Sequence, residues 1–103
     1  VAWYSSTSDA TTHLVSGLAA NDCGLYDMSG NVWEWNHDWF SSGYYSSSPG
    51  TDPGGATSGD ARVSRGGCWG CRAATSRVAN RGWNNPDGPG GFLLGLRLVR
   101  TNP

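Results

Sequence analysis

Apolar and polar positions alternate in only a few short stretches of this chain, and long polar segments separate them. Near the carboxy-terminal end Leu94, Leu96 and Leu98 alternate with Gly95, Arg97 and Val99, which predicts a half-buried strand over residues 94–99 with the leucines inward. Residues 31–35, 62–65 and 77–80 are the other extended candidates, each bounded by Gly, Asn, Ser or Pro. Helical periodicity is weak: only residues 14–20 offer it, and Gly17 interrupts them. Residues 41–60 and 82–93 are dominated by Ser, Gly and Pro and read as long surface loops. The expected core is Trp33, Trp35, Val63, Trp69, Leu96 and Leu98. So much loop needs something besides regular ladders to hold it, and buried tryptophans or a metal are the candidates.

Composition narrows the class. A chain of 103 residues has room for one modest core, so residues 1–103 are read as a single domain and a multidomain enzyme is excluded. With 37% hydrophobic residues, six tryptophans and only 15% charged residues, it is not a disordered tail. No apolar run approaches the roughly 20 residues that cross a bilayer.

Charge divides the chain. Residues 1–60 hold Asp9, Asp22, Asp27, Glu34, Asp38, Asp52 and Asp60 without a lysine or arginine, whereas all seven arginines follow, against the single acid Asp87. The arginines are spaced among apolar residues rather than run together, which speaks against nucleic acid as a partner. The expectation is that the halves pack together and Arg forks meet Asp carboxylates.

The stretch Gly24-Leu25-Tyr26-Asp27-Met28-Ser29-Gly30-Asn31-Val32-Trp33-Glu34-Trp35 carries the clearest chemistry. Glu34 is the only glutamate, set between two tryptophans, and a carboxylate in that setting needs a partner because burying an unpaired charge is costly. Two partners suit it. One is an arginine from the second half. The other is calcium: Gly30, Val32 and Glu34 share strand parity, so carbonyls of Gly30 and Val32 and carboxylates of Asp27 and Glu34 converge on a hard cation.

That motif, with Ala2-Trp3-Tyr4-Ser5 before it and Arg62-Val63-Ser64-Arg65-Gly66-Gly67-Cys68-Trp69, Arg77-Val78-Ala79-Asn80-Arg81, Asn85-Pro86-Asp87 and Leu94-Gly95-Leu96-Arg97-Leu98-Val99 after it, resembles the carboxy-terminal part of the formylglycine-generating enzyme, or sulfatase-modifying factor, family. The resemblance runs in order over nearly the whole chain. It implies an α+β, loop-rich variant of the C-type lectin fold with short antiparallel strands. It also implies calcium at Asp27, Gly30, Val32 and Glu34, the outer two by side chain and the inner two by carbonyl. Family members are usually more than twice as long, and their amino-terminal portion has no counterpart here.

Enzymes of this family oxidise a substrate cysteine to formylglycine with oxygen, using copper(I) held by two cysteines separated by four residues. The resemblance puts the first ligand at Cys71 and the second at Ser76, and a serine hydroxyl does not replace a thiolate for a soft ion. Cys68 and Cys71 form a C-x-x-C pair, but no βαβ pattern surrounds it and His13 and His37 are isolated, so neither a redox motif nor zinc is indicated. A disulfide between them is open, as is the compartment. Cys23 reads as a small buried hydrophobe.

A subset of the family, the variable proteins of diversity-generating retroelements, consists of ligand binders whose loops vary on a scaffold like Gly66-Gly67, Arg77, Asn85-Pro86-Asp87 and Gly95-Leu96-Arg97. That resemblance implies a non-catalytic domain binding a protein or surface ligand through residues 68–76 and 82–93, and a secreted, cell-surface or phage-associated setting. The candidate binding residues are Cys68, Gly70, Cys71, Arg72, Trp83, Phe92 and Leu93, with Trp83 and Phe92 as rigid anchors and Arg72 as a polar one. The alternative is a fragment of a copper-dependent oxidase acting on sulfatase cysteines, with Cys71 as its catalytic residue. Oligomeric state leaves no mark on the sequence.

Overall fold

A computed structural model of the chain describes residues 2–99. Its longest strand, β1 (Trp33–Trp39), grows from the Trp-Glu-Trp alternation, and β2 (Arg62–Arg65) lies antiparallel to it with Trp35 opposite Ser64 and Glu34 opposite Arg65. The register shifts between Trp35 and Trp39, so the ladder between β1 and β2 is irregular there. Strand β3 (Gly82–Asn84) pairs antiparallel with β2, and β4 (Leu94–Gly95) pairs parallel with β1, giving the sheet order β3-β2-β1-β4. One short α-helix, α1 (Tyr44–Ser47), and one 3-10 turn at Ala73–Ser76 complete the regular structure. No helix among the described residues is long and apolar enough to cross a membrane.

Several sequence expectations change. The strand expected over residues 94–99 is limited to Leu94–Gly95, and Leu96 and Leu98 are 67% and 89% exposed rather than core. Alternation says which residues share a face, not that a layer covers that face. Here β4 is the edge of the sheet, its ladder ends at the Glu34–Gly95 pair, and nothing in residues 2–99 packs over the leucines. Residues 77–80 form no strand, because the carbonyls of Val78 and Asn80 accept from the Arg65 guanidinium instead of a ladder. Strand β3 forms inside the segment read as loop, where Gly-Trp-Asn is too short to show a period. The weak helical signal at 14–20 yields turns, and Cys23 is exposed, not buried.

The core is small and partly polar. Val63 and Cys68 are its fully buried hydrophobic residues, while Trp33, Trp35 and Trp69 are half-buried and Ser8, Asn31 and Ser64 are buried. The chain exposes 7371 Å², against about 5,600 Å² for a folded globular chain of this mass. Asn31 substitutes for missing ladders: its amide accepts from the His13 N–H at 2.9 Å and donates to the His13 carbonyl at 3.0 Å. Its own N–H donates to Trp3 and its carbonyl accepts from Trp69, each at 2.7 Å. Gly30 beside it has φ 83°, and a Cβ there would lie 2.3 Å from the Trp3 carbonyl oxygen, so the motif's glycine is required by close approach of two backbones.

Candidate functional site

Trp33 and Trp35 lie on one face of β1, opposite Glu34, and that face continues through Ser64 on β2 to Gly82 on β3. A Cβ on Gly82 would come within 2.6 Å of the Ser64 hydroxyl and 3.2 Å of the Trp33 ring, so the absent side chain makes room for the indole. Asn84 donates from its amide to the Ser64 hydroxyl at 3.1 Å and fixes this floor. The loop from Gly88 to Leu93 forms a facing wall, enclosing an open cleft of about 660 Å³. Trp83 and Phe92, 62% and 79% exposed, line it; Trp83 packs 6.3 Å from Phe40 and Phe92 packs 6.1 Å from the half-buried Trp69, ring centre to ring centre.

Of the expected binding residues, Trp83, Phe92 and Leu93 meet in this cleft, whereas Cys68, Gly70, Cys71 and Arg72 do not line it. Residues that sequence reasoning assigned only to scaffold or left aside also line it: Asn80, Arg81, Asn84 and Asn85. The density of asparagine on both sides of Trp83 was the available signal. Arg81 donates to the Ser41 carbonyl at 3.0 Å, with its guanidinium carbon 4.2 Å from the centre of the Tyr45 ring and 5.1 Å from that of Phe40.

The acidic motif forms a second depression on the other face of β1, of about 370 Å³, which Asp27, Gly30, Val32 and Glu34 line together with Arg97. Strand pairing explains the meeting: Glu34 is in register with Gly95, and Arg97 follows two residues on. Arg97 donates through Nε to Glu34 Oε2 at 2.8 Å and through a terminal nitrogen to Oε1 at 2.6 Å, and also reaches the Asp27 carbonyl at 3.1 Å. The hydrogen bond to Glu34 raises the Arg97 pKa, against a lowering by burial, and the charges of Glu34 and Asp27 add to the rise. The charge of Arg97 is therefore present at every pH below the ordinary arginine range. Asp27, at φ 53°, accepts the Ser16 N–H on one carboxylate oxygen at 2.7 Å. An arginine is thus one partner of Glu34, and the four oxygen-bearing residues expected to hold calcium share its depression. An all-oxygen set of this kind suits a hard cation, and in this structure both Glu34 carboxylate oxygens are engaged by Arg97.

The wider expectation that Arg forks meet Asp carboxylates is corrected. Among the described residues, Arg97–Glu34 is the one ion pair within 4.0 Å. Arg62 donates to the His37 carbonyl, Arg65 to those of Val78 and Asn80, Arg77 to that of Ala74 and Arg81 to that of Ser41. Loops leave carbonyls that no ladder satisfies, and the guanidinium fork serves them.

Cys68 and Cys71 are joined by a disulfide. Ser76, where the resemblance puts the second copper ligand, is a buried hydroxyl without a partner among the described residues. The residues present therefore supply no thiolate pair at positions 71 and 76, and copper(I) does not fit them. Among the described residues no group of three His, Cys, Asp or Glu side chains gathers for a metal. His13 is held structurally, its Nε2 2.8 Å from the Ser8 carbonyl oxygen and its ring stacked 3.7 Å from that of Trp3.

Comparison with known proteins adds family and fold. The sulfatase-modifying factor enzyme 1-like domain matches residues 2–102. The formylglycine-generating enzyme of Streptomyces coelicolor is 45% identical over 86 residues, which are 81% of this chain and 27% of that protein. A protein named serine/threonine-protein kinase pkn1 from Chlamydia pneumoniae is 44% identical over 97 residues, 92% of this chain and 15% of that one. The solved structure of Treponema denticola variable protein 1 superposes with a TM-score of 0.78 at 37% identity, covering 92% of this chain and 34% of that one. The chain thus spans about a third or less of the relatives it matches, and over that span its fold is the C-type-lectin-like α+β fold of the variable protein.

Proposed function

The chain belongs to the family of the sulfatase-modifying factor enzyme 1-like domain, and from that premise we propose that it is a non-catalytic recognition domain, binding a protein or other surface ligand in the cleft flanked by Trp83 and Phe92. The observation that carries this reading is the state of the two positions an oxidase would use: Cys71 is bonded to Cys68, and Ser76 offers a hydroxyl in place of a thiolate. Likeness to a variable protein supports it, as does a cleft whose exposed tryptophan and phenylalanine are the residue types that anchor recognition surfaces. Incubation with copper(I), oxygen and a sulfatase-type cysteine peptide is expected to leave the peptide unchanged by mass; appreciable aldehyde would restore the oxidase reading.

Calcium belongs to the same proposal as a structural ion held by the Asp27 and Glu34 carboxylates and the Gly30 and Val32 carbonyls. When bound it supplies positive charge that ties the turn at Asp27 to the start of β1. A ligand that binds only the folded chain stabilises it, so a chelator is expected to lower the melting temperature. An unchanged midpoint, with no metal found by elemental analysis, leaves Arg97 as the sole partner of Glu34.

A further inference from the structure

We propose that the cleft selects peptide carboxy-termini ending in an aromatic residue, with Arg81 receiving the terminal carboxylate. This rests on the reading of the cleft as a recognition site and names the chemistry it recognises. Among the residues that line the cleft, Arg81 carries the only charge; there is no Asp, Glu, Lys or His. Arg81 lies on the border between this cleft and the neighbouring depression that Tyr45 lines, so a ligand in the cleft meets its charge at the edge.

Arg81 is half-buried, and no carboxylate of the described residues lies within 4.0 Å of it. Asp38 lines a neighbouring depression that Arg81 also borders, yet stays beyond that distance, and Asp87 is exposed and outside the lining. Among the described residues the only acceptor of Arg81 is the Ser41 carbonyl, which leaves N–H groups of the fork free. The Tyr45 and Phe40 rings beside the guanidinium hold it in place without neutralising it. Arg65 differs: its bonds to two carbonyls and to the Tyr45 hydroxyl at 2.9 Å use three of its five N–H donors inside the fold, and it lies outside this cleft.

A planar fork with free donors matches a carboxylate. The exposed faces of Trp83 and Phe92 provide apolar contact for a ring, and the amides of Asn80 and Asn85 offer donors and acceptors to a peptide unit. A volume of about 660 Å³ suits a chain end of a few residues rather than a long segment. A terminal carboxylate next to an aromatic side chain brings ring and charge together within one residue.

The test is an NMR titration of the intact chain, read at the Trp83 indole N–H, with three probes: N-acetylphenylalanine, its neutral amide, and N-acetyl-aspartyl-phenylalaninamide, whose acid is internal. The terminal acid is expected to bind about tenfold more tightly than either other probe. That preference should vanish in Arg81→Met, shrink in Arg81→Lys, which keeps the charge without the fork, and weaken with added salt. Equal binding of all three overturns the proposal while leaving the recognition cleft intact, and so does an internal acid that matches the terminal one. Binding of none of them overturns both readings. Should Arg81→Met fail to fold, the ranking of probes on the unaltered chain decides alone.

Discussion

The two arginine-bearing depressions on opposite faces of β1 solve the same problem in opposite ways. Beside Glu34, the Arg97 fork is closed by a carboxylate of the chain itself, so the charge is balanced within the fold. At the edge of the cleft, Arg81 is set against aromatic rings and one carbonyl, with no carboxylate of the described residues within 4.0 Å. A closed pair favours the folded state; an open one favours a visitor. The difference separates a structural site from the proposed recognition site more sharply than residue type does, since both hold an arginine.

Four substitutions test that contrast, from the largest effect to the smallest. Glu34→Ala leaves Arg97 without its carboxylate in a part-buried place and is expected to cost about 2 kcal/mol, lowering the melting temperature by about 10 °C in calorimetry. Arg81→Met loses one carbonyl bond and the guanidinium's contacts with the Tyr45 and Phe40 rings, and is expected to cost about 1 kcal/mol. Equal losses from the two changes would erase the distinction. Gly82→Ala drives a methyl against the Ser64 hydroxyl and the Trp33 ring on the cleft floor, with an expected cost of about 1 kcal/mol and a weaker ligand response at Trp83. Leu98→Ser, at a residue 89% exposed, is expected to move the midpoint by less than the change for about 0.5 kcal/mol. A large loss there would mean that the exposed leucines are packed after all.

Much of the fold was legible where local pattern and tertiary packing agree. The strand at residues 62–65 forms as expected, and the Trp-Glu-Trp alternation puts Glu34 opposite the two rings. The need of Glu34 for a partner followed from its setting between two tryptophans, and Arg97 meets it. Trp83 and Phe92 were visible as candidate anchors because the variable-protein resemblance and the mixture of aromatic residues and glycines pointed to recognition loops, and both are exposed. Leu96 and Leu98 were misplaced because period-2 spacing does not report whether a second layer lies over the edge strand. The setting of Arg81 was invisible for a related reason: its partner in the fold is the carbonyl of Ser41, and a carbonyl leaves no trace in residue identity.

That last feature governs how this surface tolerates change. A guanidinium gripping the main chain at His37, Ser41, Ala74, Val78 or Asn80 grips an atom that any amino acid would bring to that position. Replacing the side chain there removes none of those bonds, so the course of the loop is decoupled from what the loop displays. These arginines can therefore hold one backbone shape whatever side chains stand at those five positions.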